Sequence, residues 1–258
     1  MIPYKLNPLG ISVNENLPLT FTAETAGSTV YLKKTTGSPT VSGLHYRLGK
    51  SGTWLAYTIG NTITLTNVGD CVQFWNSADA LSTGSSHYVQ FVMTGSISAS
   101  GTIKSMLNFS SVCKFGSFYR LFRDCTSLLN VPDINYFSVV EALAFADCFR
   151  SCSNMTGNLI LNNTVLDGEN CYLSSFYGTA LNSAELRQTQ LSTGCFAYMF
   201  YGCSALNSVE VAFTEWLSGA TTSWMAAVSG SGAFTKPTAL ADTRGTSNIP
   251  TGWTVVNK

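Results

Sequence analysis

CFAYMFYGCSALNSVEV, residues 195–211, follows in outline SSFYGTALNSAEL, residues 174–186, down to a shared Leu-Asn-Ser. Catalytic motifs are seldom duplicated within a chain, whereas a unit that stacks on copies of itself must recur. Aligning on one aromatic side chain extends the match to four units, anchored on Phe122, Phe149, Phe176 and Phe200, at spacings of 27, 27 and 24 residues. Four residues before each anchor stands a second aromatic, Phe118, Phe145, Tyr172 and Phe196. An i, i+4 pair shares one helical face, so the spacing predicts a short helix in each unit with both rings turned inward. Three residues past the anchor come Cys125, Cys152, Thr179 and Cys203, small enough for a tight inward turn. Leu128, Met155, Leu181 and Leu206 follow. LLNVPDI, GNLIL, LNSAEL and LNSVEV then close the units as extended, alternating segments. Helix, turn and short strand make one rung of a solenoid. No rung can bury its own aromatic face, so the rungs must stack, each buried large apolar side chain contributing roughly 1.5–3 kcal/mol before entropy is subtracted.

Upstream the hydrophobic period is two. LTFTA (19–23), TVYLKK (29–34), LHYRL (44–48), TWLAYTI (53–59), TITLT (62–66), CVQFW (71–75) and YVQFVM (88–93) read as strands, with Gly60-Asn61 as a hairpin turn between the fourth and fifth. Seven such strands suggest a small antiparallel sandwich. Trp54 and Trp75 read as core or edge packing more readily than as a ligand platform. An aromatic ladder left open at either end would invite aggregation. The sandwich therefore caps one end, and residues 212–258, with Trp216, Trp224, Phe234 and Trp253, cap the other. The expected architecture is α+β: an arm (1–17), an antiparallel β-sandwich (18–94), repeats (95–211) and a C-terminal cap (212–258).

Only 11% of the 258 residues are charged and the formal net charge is zero, which leaves no electrostatic case for nucleic acid. The 45% hydrophobic content marks a globular chain. No run of eighteen apolar residues occurs, so no membrane span is expected. MIPYKLNPLGISVNENLPLTF is interrupted by prolines at 3, 8 and 18 and lacks the apolar core of a signal peptide, which suggests a chain that begins soluble in a cytoplasm. The eight cysteines include no C-x-x-C pair and there are two histidines, His45 and His87, so neither zinc nor any other cofactor is expected. Buried free thiols are the better reading.

FYRLFRDCTSLLNVPDI, CFRSCSNM and AYMFYGCSALNSVEV resemble the F-x-x-M-F-x-G-C-x-x-L-x-x-[IV] pattern of BspA-like leucine-rich repeats. The flanks, PLTFTA…LHYRLGKSGTWLAYTIG…ITLTNVGDCVQFW and NIPTGWTVVN, are similar to segments that accompany these repeats in proteins of gut bacteria and their phages. The GNLIL segment and Thr179 depart from the pattern. The resemblance implies a leucine-rich-repeat solenoid in a surface-displayed, non-enzymatic module. Without an export signal, incorporation into a phage virion is the expected route outside. A head or tail fibre component follows, with a homotrimer among the assemblies this implies. Other virion proteins, capsid or tail, and a host-surface glycan or protein are the expected partners, residues 1–17 serving as the docking arm. The alternatives are an exported bacterial surface adhesin and a polysaccharide-degrading enzyme.

Equivalent positions of stacked rungs form rows. One residue past each anchor gives Arg123, Arg150, Tyr177 and Tyr201; two residues before gives Arg120, Asp147, Ser174 and Tyr198. Arg120, Arg123, Arg150, Tyr177, Tyr198 and Tyr201 are thus the candidate binding residues, able to hydrogen-bond sugars or pair with acidic glycans. The plainer account, which the sequence favours, is a solvated face with Arg120 or Arg123 paired to Asp124 or Asp147. No catalytic residue is assigned. Asp167 and Glu169 have the makings of a glycosidase pair, but a polar loop explains them more simply.

Overall fold

A computed structural model describes residues 17–35, 41–84 and 86–258, together with the backbone of Lys5–Leu6 (β1) and Ser12–Val13 (β2). These two short strands pair antiparallel. Otherwise the expected arm, except for Leu17, lies outside the described residues.

The period-two segments become strands β3 (Leu19–Ala23), β4 (Ser28–Lys34), β5 (Leu44–Leu48), β6 (Leu55–Ala56), β7 (Ile63–Leu65), β8 (Cys71–Asn76) and β9 (Val89–Thr94), followed by β10 (Ile97–Ser100). They build two antiparallel sheets, β10-β3-β8-β5-β6 and β7-β4-β9. The rings of Phe21, Phe74 and Phe91 meet between them edge to face, at centroid separations of 5.0–6.0 Å. The expected hairpin at Gly60-Asn61 is not formed. Gly60 does adopt positive φ (97°), but β6 joins β5 in one sheet and β7 joins β4 in the other. The turn is a crossing between layers because Tyr57 goes into the core and donates its hydroxyl to the Asn61 carbonyl.

Beyond β10 the chain winds as a β-solenoid of about six turns. Parallel strands stack in two sheets, β11-β12-β14 and β13-β15-β16-β17-β18. Their ranges are β11 Val112–Cys113, β12 Val139–Glu141, β13 Asn158–Leu161, β14 Val165–Asp167, β15 Ser183–Leu186, β16 Ser208–Val211, β17 Gly232–Lys236 and β18 Trp253–Asn257. LLNVPDI forms no strand and contributes only bridges, Ile97 to Leu128 and Thr102 to Asp133.

The expected α+β class is corrected: among the described residues there is no α-helix, only a short 3-10 helix at Ile103–Leu107, and the fold is nearly all β. Each predicted helix is instead a chain of tight turns in which every fourth residue has left-handed backbone. Gly116, Arg120 and Asp124 do so in the first repeat, Leu143, Asp147 and Ser151 in the second, Asn170, Ser174 and Gly178 in the third, and Gly194, Tyr198 and Gly202 in the fourth. Alternate amides bond locally, as Leu121 N–H does to the Phe118 carbonyl. The amides between them point sideways, so that Phe118, Arg120, Phe122 and Asp124 donate to Ala144, Ala146, Cys148 and Arg150 of the next turn. A helix would spend every amide within itself; here half of them tie successive turns together. Because the conformation repeats every four residues, it keeps i and i+4 on one side, which is why the helical reading placed the rings correctly on the wrong backbone.

The anchors pile in register. Phe91 to Phe122, Phe122 to Phe149 and Phe149 to Phe176 stack at 5.1–5.2 Å with planes within 11°, and Phe176 to Phe200 follows at 6.1 Å. Phe91 belongs to β9, and its amide donates to Leu121, so the sandwich supplies the first step of the stack. At the far end Gly219, Ser223 and Ala227 repeat the left-handed spacing. Phe200 N–H donates to Trp224, which is fully buried against Phe196 and Phe200. The same winding thus continues into residues 212–258.

The small residues after the anchors also acquire a role. Cys125, Cys152 and Cys203 donate their thiols to the carbonyls of Phe91, Phe122 and Phe176, each one turn back. All eight cysteines are free and buried. Burial raises the thiol pKa of Cys125 to about 12 and drives that of Cys152 well above its ordinary value, so both remain protonated donors.

Candidate functional site

The outward side of the turn chains positions the residues singled out from the rows. Asp147 is the hub. Its buried carboxylate accepts from Arg120 Nε at 3.1 Å and Arg150 Nη1 at 3.2 Å, with Arg123 Nη1 at 3.8 Å. Arg123 also lies 3.5 Å from the exposed Asp124, and its carbonyl accepts from the Gln90 side chain. The ion pairs expected at Asp124 and Asp147 are present; what the rows did not suggest is that three guanidinium groups converge on one carboxylate.

From this hub a stack runs along the solenoid axis. The Arg150 guanidinium lies over Tyr177 at 4.5 Å, and Tyr177 stacks on Tyr201 at 4.8 Å with planes 4° apart. Tyr198 is more exposed and stands off this line, tilted against Tyr201 at 6.3 Å. Both flat faces of Tyr177 are therefore covered, and the stack turns ring edges and phenol hydroxyls outward. The other end reaches the sandwich. Arg120 lies over Tyr119 at 4.9 Å and Tyr88 at 5.6 Å, and donates to the Tyr88 hydroxyl at 3.3 Å. Tyr88 and Tyr119 escaped the row reading, although each stands three residues before an anchor once Phe91 is recognised as the first.

Three of these residues, Arg120 (φ 58°), Asp147 (φ 54°) and Tyr198 (φ 55°), occupy left-handed positions. Glycine would be less strained there, as Gly178, Gly194 and Gly202 show at equivalent places. Leu143, Ser151 and Ala227 carry the same left-handed backbone, so this strain belongs to the winding of the solenoid and not to this face in particular. Asp167, at the end of β14, and Glu169 are both exposed.

No known family, curated protein or solved structure matches the chain.

Proposed function

We propose that the protein is a non-enzymatic recognition module that presents its Arg/Tyr face to a host-surface glycan. The observation that carries this reading is the Arg150, Tyr177, Tyr201 stack, held by the Asp147 hub on a close-packed aromatic spine. Side chains already fixed by stacking and ion pairing lose little freedom when a ligand arrives. With the ring faces occupied, the surface offers guanidinium N–H groups and phenol hydroxyls, which suit the hydroxyl and carboxylate oxygens of a glycan. The proposed setting is a phage virion, as a head or tail fibre component in contact with capsid or tail proteins. This rests on the likeness of the repeats and flanks to BspA-like leucine-rich repeats.

Binding to a glycan array and to intact host cells, compared between the native protein and the double variant Arg150→Ala/Tyr177→Ala, tests the face. The expected outcome is a loss of about tenfold or more, as for a deleted charge-assisted contact, with native binding weakening as salt is raised. Unchanged binding by the variant would remove this face as the site. Mass spectrometry of purified particles checks the setting.

A further inference from the structure

The outer face of the β10-β3-β8-β5-β6 sheet carries a second cluster. Register aligns His45 with Trp75 on one side and Ala56 on the other, and Arg47 with Gln73, which in turn faces Thr20. These side chains share the face opposite the core. Gln73 donates to Thr20 at 2.9 Å and accepts from Arg47 Nε at 2.7 Å. That bond holds the Arg47 guanidinium over Trp54 at 4.7 Å. Trp54 meets Trp75 edge to face, centroids 6.1 Å apart and planes at 62°, and His45 lies against Trp75 at 4.9 Å. His45 Nδ1 is 2.7 Å from the Gly43 carbonyl, which can only accept, so Nδ1 carries a proton and Nε2 faces away. Ala56, the cross-strand neighbour of His45 on the other side, is small and exposed.

We propose that this corner is a second ligand site, taking a carboxylate-bearing sugar between Trp54, Trp75, Arg47 and His45. The charge argument comes from the other arginines. Of the six, Arg120, Arg123, Arg150 and Arg187 pair with carboxylates and Arg244 donates to main-chain carbonyls. Among the described residues Arg47 has only neutral company, Gln73 and Trp54. Its guanidinium is therefore held in place, charged and without a carboxylate partner among the described residues, the arrangement that receives a carboxylate in bidentate fashion. Two half-buried indoles at an angle provide flat apolar walls for the C–H faces of a pyranose, while His45 Nε2 can hydrogen-bond a ring hydroxyl. A peptide fits less well. β5 is flanked by β6 and β8, and the edge strand β6 is only two residues long, Leu55–Ala56, so it offers too short a ladder for an extended chain to join. The site is independent of the solenoid face and does not rest on that reading.

The test titrates the full chain with tri-galacturonate, sialyllactose, neutral maltotriose and tri-glutamate, following tryptophan fluorescence and calorimetric heat. At least one acidic saccharide should bind, with maltotriose about tenfold weaker or more, and Arg47→Met should weaken acidic-saccharide binding by about tenfold or more. Trp54→Ala should weaken binding of the same saccharide, and an unchanged thermal transition in both variants separates loss of the site from loss of the fold. Binding that persists in Arg150→Ala/Tyr177→Ala and is lost in Arg47→Met belongs to this corner, whereas binding lost only in Arg150→Ala/Tyr177→Ala belongs to the solenoid face, so failure of one site is distinguishable from failure of the other. Absence of binding by both acidic saccharides, native-like binding by Arg47→Met and Trp54→Ala, or equally tight binding of tri-glutamate would each overturn the proposal, the last by assigning the corner to acidic peptides.

Discussion

Each turn of the solenoid requires residues spaced by four to enter left-handed backbone, and side-chain identity decides the cost. At Gly194 and Gly202 the conformation is nearly free of strain; at Tyr198 between them, and at Arg120, Leu143 and Ala227, a Cβ opposes it by about 1 kcal/mol or more. Gly202 isolates this effect, because a Cβ built there meets nothing closer than the Gly178 Cα at 3.9 Å. Gly202→Ala should accordingly destabilise by about 1 kcal/mol through backbone strain alone. Ala227→Gly, at an exposed equivalent position, should stabilise by somewhat less, since glycine also loosens the unfolded chain. Urea unfolding midpoints of the two variants should move in opposite directions; a shift of the same sign in both would contradict the assignment of strain. Such positions are hard to read from sequence because non-glycine residues fill many of them. Gly194 and Gly202, eight apart around Tyr198, were the available signal.

Among the structural elements, the aromatic stack outweighs any single hydrogen bond. Phe149 sits in its middle, fully buried between Phe122 and Phe176 at 5.1 and 5.2 Å. Phe149→Ala removes both contacts and leaves a cavity that neighbours tied by sideways amide bonds cannot readily fill, so a loss of about 3–5 kcal/mol is expected. Phe149→Leu keeps most of the buried area and should lose roughly half as much or less. Equal midpoints for the two variants in chemical denaturation would show that stacking is not what holds the turns together. The stack itself was legible: four anchors at near-constant spacing could only be piled, and their partners four residues earlier could only face the same way. The backbone between them was not, since a helix and a chain of turns with one left-handed residue in four impose the same spacing on the side chains. Hydrogen bonding distinguishes them, and it depends on the neighbouring turn. The sandwich strands were legible for the same kind of reason, but the destination of β6 and β7 was not, because a glycine turn looks alike whether it joins neighbours in one sheet or crosses between two. The candidate site was legible as rows of residues; the convergence of three arginines on Asp147 and the tyrosines three residues before Phe91 and Phe122 required the stacking register.

For the whole molecule, sandwich and solenoid share one continuous core, since Phe91 belongs both to the sandwich ring cluster and to the aromatic stack. Into this core the chain places a series of thiols. Burial raises the pKa of Cys125 and Cys171 to about 12 and of Cys195 to about 11, and raises those of Cys113, Cys148, Cys152 and Cys203 as well. The folded protein therefore keeps protons that the unfolded chain releases above about pH 8.5. Stability from this source is fully present below that value and declines as pH rises toward the folded pKa values, by up to about 1.4 kcal/mol per thiol per pH unit. With seven thiols acting together, unfolding should set in between about pH 9 and 10, over an interval in which most carboxylates and arginines do not change charge. Thr179 occupies the position of Cys125, Cys152 and Cys203 in its own repeat and donates a hydroxyl to Phe176. A triple variant carrying threonine at those three cysteines removes three of the titrations while keeping a donor of similar size. Urea midpoints measured from pH 7 to 10 should fall steeply for the native protein and less steeply for the variant. Parallel slopes would mean that the alkaline transition starts elsewhere, and a native midpoint that stayed level to pH 10 would mean that these thiols are not held from solvent as the stacked core requires.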